Sequence, residues 1–393
     1  MDLNNTINGL TEKITDELIQ IRRTIHQNPE LGFEEFETAK LVSGALDKMG
    51  ILQRTGVGGT GVVGIIEGGA GPGKTVAIRA DMDALPIDEQ SGVSFSSKVP
   101  GKMHACGHDA HTAIALGAAM VLNQIKDRLK GRVKLIFQPN EEGLGGAQAM
   151  IKDGVFEDPA IDIVLGYHNW PPLEAGKVAY QDGAVFAASD FFDITLKGVA
   201  GHAAHPHTTV DTIAAAAYFI TQLQTIVSRE IAPVDPAVVS IGKIEGGTVR
   251  NIIAGEVRLS GGVRGRSTEV MKRVEETMRR LLDGLKTGMR VDYELDYRVA
   301  VPVLRNDKAT LDRVLISARN ILGDENVEEL AYSSMGSEDL AYFTERVPSA
   351  HLRIGSKIDG LDTMVHKANY DCNELAIPTG VRAISQAAAD LLA

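Results

Sequence analysis

Cys106 and His108 stand two residues apart inside Met103-His104-Ala105-Cys106-Gly107-His108-Asp109-Ala110-His111, which offers four potential ligands in eight residues. Thiolate sulfur and imidazole nitrogen are both transition-metal donors. On a helix, residues two apart diverge, whereas on an extended segment they face the same way. The spacing therefore predicts an extended, metal-binding loop. A buried Cys beside a hydrogen-bonded His is the plainer reading of a lone Cys-x-His; four candidates this close together favour metal.

Three further elements could join it. Phe137-Gln138-Pro139-Asn140-Glu141-Glu142-Gly143 runs from an apolar strand into adjacent carboxylates. In open α/β sheets that end of a strand is where ligands bind. Neighbouring side chains there point different ways, so one carboxylate can hold metal while the other faces the attacking water. A solvated loop is the bland alternative, because Glu-Glu pairs are common. Tyr167-His168-Asn169 also follows an apolar run, and His366 lies near the C-terminus.

These groups need a scaffold that brings distant segments together. The 393 residues carry 40 Lys and Arg against 52 Asp and Glu, a net charge of −12. That balance argues against general nucleic-acid or anionic-membrane binding. With 44% hydrophobic residues the chain has the composition of a folded globular protein. Its length suggests about two or three domains. The two cysteines, Cys106 and Cys372, could form one bridge at most, so a reducing compartment is the default. No signal-peptide pattern and no apolar run of membrane-spanning length is present, and the expectation is a cytoplasmic protein.

Ile14, Leu18, Ile21 and Ile25 predict a helix over residues 11–27. Apolar, β-branched runs at 61–67, 75–80, 132–138 and 161–167 predict strands, with an Ala-rich helix at 110–129 between them. This is the order of a mixed sheet covered by helices. From about residue 185 the pattern changes. Strand 191–196, helix 211–228, strands 237–244 and 256–263, helix 268–285 and strand 290–297 spell β-α-β-β-α-β, the ferredoxin-like unit. The α/β pattern then resumes, with helices near 308–321 and 374–392 and an extended run at 350–354. The expectation is a catalytic α/β domain, a mixed sheet with helices on both faces, made of residues 1–184 and 300–393. An inserted ferredoxin-like domain would span 185–299.

Arg79-Ala80-Asp81-Met82-Asp83-Ala84-Leu85-Pro86, His-Ala-Cys-Gly-His-Asp at 104–109, Gln138 with Glu141-Glu142, Gly201-His202-Ala203-Ala204 and Gly336-Ser337-Glu338-Asp339 occur in that order. Together they resemble the aminoacylase/carboxypeptidase family of dinuclear metallohydrolases. The match is best to its amidohydrolase branch of hippurate hydrolases, indole-acetyl-amino-acid hydrolases and N-acyl-amino-acid deacylases. The resemblance covers nearly the whole chain.

It implies two divalent ions per chain, of manganese, zinc, cobalt or nickel, held by Cys106, His108, Glu142, His168 and His366. It makes Glu141 the general acid/base and Asp83 the carboxylate behind a ligand histidine. It places His202 over the metals of the other subunit of a homodimer. Asn251 and Arg264 stand where relatives bind the substrate's carboxylate or carbonyl oxygen. The implied substrate is a small N-acyl-amino acid, cleaved to a carboxylic acid and an amino acid.

The chain departs from the family's pattern at Asn140, His205, Ala254 and Lys367-Ala368. A metallo-carboxypeptidase or dipeptidase of the same family is the alternative. A metal-binding scaffold without activity would have no need of Glu141. The His-Glu-x-x-His pattern of metalloproteases and the Gly-x-Ser-x-Gly nucleophile elbow are both absent.

Overall fold

β-branched and apolar runs broken by glycine build the sheet that carries the candidate ligands. In the computed structural model, which describes residues 2–393, the chain divides into two compact units. One comprises 2–185, 305–332 and 339–393; the other comprises 186–304 and 333–338.

The first unit holds an eight-stranded mixed sheet. Its strands run in the order Leu52–Val57, Gly61–Glu67, Arg132–Gln138, Thr75–Asp81, Ile163–Trp170, Ser349–Gly355, Val178–Tyr180 and Val327–Glu329. Thr75–Asp81 is parallel to both its neighbours, and Ser349–Gly355 is parallel to Ile163–Trp170. Every residue of Thr75–Asp81 and of Ser349–Gly355 is buried, as expected of parallel strands covered by helices. The helices Leu3–Gln27, His108–Gln124, Lys308–Leu322 and Ala376–Leu391 share one apolar core with this sheet through Leu18, Ile114, Val314 and Ile384.

The second unit is the predicted ferredoxin-like order. Ala188–Lys197, Thr212–Thr225, Ala237–Gly246, Glu256–Gly265, Thr268–Met289 and Asp292–Val301 follow one another. The sheet is antiparallel, in the order Ala237–Gly246, Glu256–Gly265, Ala188–Lys197, Asp292–Val301. Phe192, Ile194 and Leu196 are buried and alternate with more exposed residues, the mark of a sheet covered on one face. Both helices start on side-chain caps: Asp211 accepts from the amides of Ile213 and Ala214, and Ser267 from that of Val270. Residues 333–338, which sequence reading left with the flanking parts, join this unit because the Ala187 amide donates to the carbonyls of Ser334 and Gly336.

Other boundaries moved for local reasons. The first helix begins at Leu3 rather than at residue 11, since Ile7 extends the buried seam N-terminally through a polar Asn/Thr stretch. The Ala-rich helix starts at His108 and stops at Gln124, before a short 3-10 turn. Among the described residues no helix is long and apolar enough to cross a membrane.

Candidate metal centre

The left-handed Gly107 sets the geometry of the Cys-x-His segment. The expectation of an extended loop is corrected here: Gly107 has φ +86° and His108 is the first residue of a helix. A side chain at 107 would be strained at that φ, and its Cβ would run into Asn169 Nδ2 and Tyr370 Oη. The chain thus turns between Cys106 and His108, and both side chains stay buried.

His168 lies within the strand Ile163–Trp170, not after it. Its Nδ1 donates to the Asn169 carbonyl at 2.6 Å, so the Nε2 lone pair faces Cys106 Sγ, 3.3 Å away. Glu142 Oε1 lies 3.1 Å from His366 Nε2 and 4.0 Å from His108 Nε2. His366 is half exposed, and a φ of +66° turns it in. The donor atoms of the five expected ligands form two compact sets, Cys106/His108/His168 and Cys106/Glu142/His366, each within 4.8 Å, with the thiol common to both; His108 also groups with Asp81 and His111, and with Glu141 and Glu142. Buried His108 Nε2 and Glu142 Oε1 make no hydrogen bond, which fits atoms aimed at a cation.

Electrostatics point the same way. Burial, then the carboxylates of Glu142, Glu141 and Asp81, push the Cys106 thiol well above its ordinary value. Burial opposes charge on His108, yet Asp81, Asp83 and Glu142 raise it to about 10. This is a buried, carboxylate-rich pocket in which positive charge is favoured and a thiolate needs a cation beside it.

Asp83 ties the parts together. Its Oδ1 faces His108 Nδ1 at 3.3 Å and accepts from the Glu141 amide at 3.0 Å, while Oδ2 accepts from the Glu142 amide at 3.0 Å. Glu141 is buried, and its Oε1 accepts from the Asp339 amide at 3.3 Å.

Two histidines of the 104–111 stretch do not join either set. His111 Nε2 accepts from the Asn169 amide at 2.9 Å and Nδ1 donates to Asp81 Oδ1 at 2.6 Å, so both nitrogens are used. His104 is buried, and burial, with Asp109 acting against it, lowers its pKa to about 4.

The remaining candidates lie in the second unit. His202 sits on the two-residue strand Gly201–His202, paired with Ile252–Ile253. Asn251 immediately precedes that pair, and its carbonyl accepts from the Ala203 amide at 3.0 Å. His202 is exposed; its Nδ1 accepts from the Ala204 amide at 3.1 Å, which leaves Nε2–H as an outward donor. Arg264, at the end of Glu256–Gly265, donates to Ser337 Oγ at 2.7 Å.

Sequence reading missed the supporting network. Arg79 donates to Gln138, Asp81 and Asp339, and Gln138 donates to Asp339 at 2.7 Å. Asn169 Nδ2 holds the Cys106 carbonyl at 2.7 Å. Arg79, Gln138 and Asp339 all stood in quoted motifs, but partners distant in sequence give no local signal.

A family model described as Peptidase family M20/M25/M40 matches residues 77–390. An IAA-amino acid hydrolase of Arabidopsis thaliana is 40% identical over 371 residues, 93% of this chain and 83% of the relative. The N-acetylcysteine deacetylase of Bacillus subtilis is 39% identical over 353 residues, 89% of this chain and 90% of the relative. The crystal structure of a Bacillus subtilis dinuclear metal binding peptidase from the M20 family superposes with a TM-score of 0.86 at 34% identity, covering 97% of this chain and 99% of that one.

Proposed function

The chain belongs to peptidase family M20/M25/M40 and is a hydrolase; from that premise we propose that it is a two-metal amidohydrolase that splits N-acyl-amino acids into a carboxylic acid and a free amino acid. The observation that carries the reading is the buried Glu141 beside two donor sets that share Cys106. Cys106, His108, Glu142, His168 and His366 would hold the ions. The two ions, when bound, supply Lewis-acid polarisation of the carbonyl and a more acidic water.

The chain's own groups do the rest. Asp83 orients His108 and fixes the backbone from which Glu141 projects. Glu141 takes a proton from the attacking water and passes it to the leaving nitrogen. His202 Nε2–H donates to the developing oxyanion. Arg264 supplies a cation for the substrate's α-carboxylate, and Asn251 an amide for its carbonyl or carboxylate oxygen.

His202 acts on the site of a second copy in this reading. Ile213 and Tyr218 on the helix Thr212–Thr225, and Val238 and Ile244 on the edge strand Ala237–Gly246, are all exposed. An open strand edge beside exposed apolar side chains is a surface suited to pairing with its twin.

Purified enzyme loaded in turn with manganese, zinc, cobalt and nickel is offered N-acetyl-, N-benzoyl- and indole-acetyl-amino acids, with dipeptides as the competing class. Release of free amino acid from the acylated series supports the proposal. Turnover of dipeptides alone assigns a peptidase, and no turnover of either class removes the catalytic reading.

A further inference from the structure

Glu35 precedes the helix Phe36–Lys48 and stands outside every motif quoted above. It is completely buried. One oxygen accepts from the Asn140 amide at 2.8 Å; the other takes a short hydrogen bond from Thr60 Oγ1. Asn140 leads directly into Glu141 and has φ +48°, a left-handed conformation that costs free energy in a residue with a side chain. The next two amides, of Glu141 and Glu142, are held by Asp83. Three consecutive backbone N–H groups are therefore captured by two carboxylates from distant parts of the chain. The turn is also closed on itself, with the amides of Leu144 and Gly146 bonded to the carbonyls of Glu141 and Asn140. A Cβ at Gly32 or at Gly143 would overlap the Asn140 side chain, so the turn has no room to slide.

We infer that Glu35 is a positioning residue that fixes the register of the turn at 140–142 and thereby the reach of the Glu141 carboxylate; this rests on Glu141 being the proton carrier. Asp83 also faces His108, so its removal would disturb the metal centre directly. The Glu35 carboxylate binds the Thr60 hydroxyl and the Asn140 amide and is in neither donor set, which separates positioning of the turn from ligation. Without it the strained Asn140 loses its restraint, and a misplacement of about 1 Å at a reacting group can cost about 100-fold in rate.

The test uses the metal-loaded full chain with Glu35→Ala, the shorter Glu35→Asp and the isosteric Glu35→Gln. The carboxamide of Gln can still accept from Asn140 while donating to Thr60. Glu35→Ala is expected to lower kcat about 10- to 100-fold, with KM within about twofold and metal content unchanged. Amide exchange in a peptide covering 139–146 should quicken while that of 132–138 stays protected. Glu35→Gln should restore most of kcat and the slow exchange. If Glu35→Ala does not fold, Glu35→Asp is read in its place, with the same loss expected. Unchanged exchange over 139–146 overturns the inference. So does faster exchange with undiminished kcat when Glu141→Gln is inactive. Should Glu141→Gln itself remain active, the general-base reading fails, and the exchange result alone decides whether Glu35 holds the turn.

Discussion

Arg22 Nε donates to Asp109 Oδ2 at 2.8 Å, with both side chains shut away from solvent. His26 Nδ1 meets the same oxygen at 2.8 Å, and Arg22 also reaches Asp371 and Glu374. Asp109 follows His108 directly, so this buried charge cluster anchors the first turn of the helix on which a candidate ligand sits. Replacing Asp109 by Ala would remove the fully buried carboxylate that two buried cations share, leaving Arg22 with Asp371 and Glu374 and His26 with Glu89. Breaking a buried pair in this way typically costs about 3–5 kcal/mol. Urea unfolding of Asp109→Ala should show a loss of that order, and a change below about 1 kcal/mol would refute the anchoring role.

The same cluster makes stability depend on pH. Burial opposes charge on His26, but the Asp109 charge and hydrogen bonds to Asp109 and Glu89 raise its pKa from 6.5 to about 9. The folded value lies above the unfolded one. The stabilisation is therefore complete below about 6.5 and is lost as pH rises through about 9. The interval corresponds to something on the order of 3 kcal/mol. Denaturation midpoints of the wild type should fall across this window, and those of His26→Gln should fall less. An identical pH profile in the two proteins would contradict the assignment.

Metal stoichiometry should separate a shared ligand from an unshared one. Cys106 belongs to both donor sets, whereas His366 belongs to one. After reloading and dialysis, the wild type should retain about two ions per chain. Cys106→Ala should lose the capacity for both, and His366→Ala should keep about one. Retention of both ions by Cys106→Ala would remove the thiol from the centre.

Glu141→Gln keeps the size and hydrogen-bonding reach of the side chain and abolishes its basicity. General acid–base groups typically contribute about 10²- to 10⁴-fold. The variant should lose at least that much turnover with its metals in place. Near-normal kcat would end the assignment.

His202 can be tested in trans. His202→Ala and Glu141→Gln should each be nearly inactive, since an oxyanion donor is typically worth about 10²- to 10³-fold. If His202 serves its partner's site, subunit exchange creates one site holding both groups. Activity should then rise well above either parent. No recovery, with mixed dimers shown to form, would place His202 in its own chain's site or in neither.

Much of the scaffold was legible because its signals are local. The runs at 61–67 and 132–138 became strands with those limits, since apolar β-branched stretches between glycines have few other uses. The β-α-β-β-α-β order was legible for the same reason. The helix Phe36–Lys48 escaped because its apolar stripe is sparse: Thr38, Val42 and Leu46 are its buried positions. At the centre, residue types announced Cys106 and His108, but the turn that unites them needed the φ of Gly107. His104 and His111 looked like ligands by spacing, and it took tertiary contacts to show that both nitrogens of His111 are engaged, by Asp81 and by the Asn169 amide. Glu35 gave no signal, because a carboxylate serving a backbone amide 105 positions away looks like any other.

The strand Ser349–Gly355 lies in the interior of the sheet, between Ile163–Trp170 and Val178–Tyr180, although it is the last of the sheet's strands to be synthesised. A nascent chain that has not yet delivered residues 349–366 has a gap there, with two unpaired strand edges on either side. It also lacks His366. The second unit's sheet is complete by Val301 and can fold during translation. The first unit has to wait. A centre that includes His366 would therefore be completed by residues that follow the last strand of the sheet. A chain cut short before residue 349 would leave Ile163–Trp170 and Val178–Tyr180 without the partner they share in the finished sheet, and unpaired strand edges are templates for pairing with other chains.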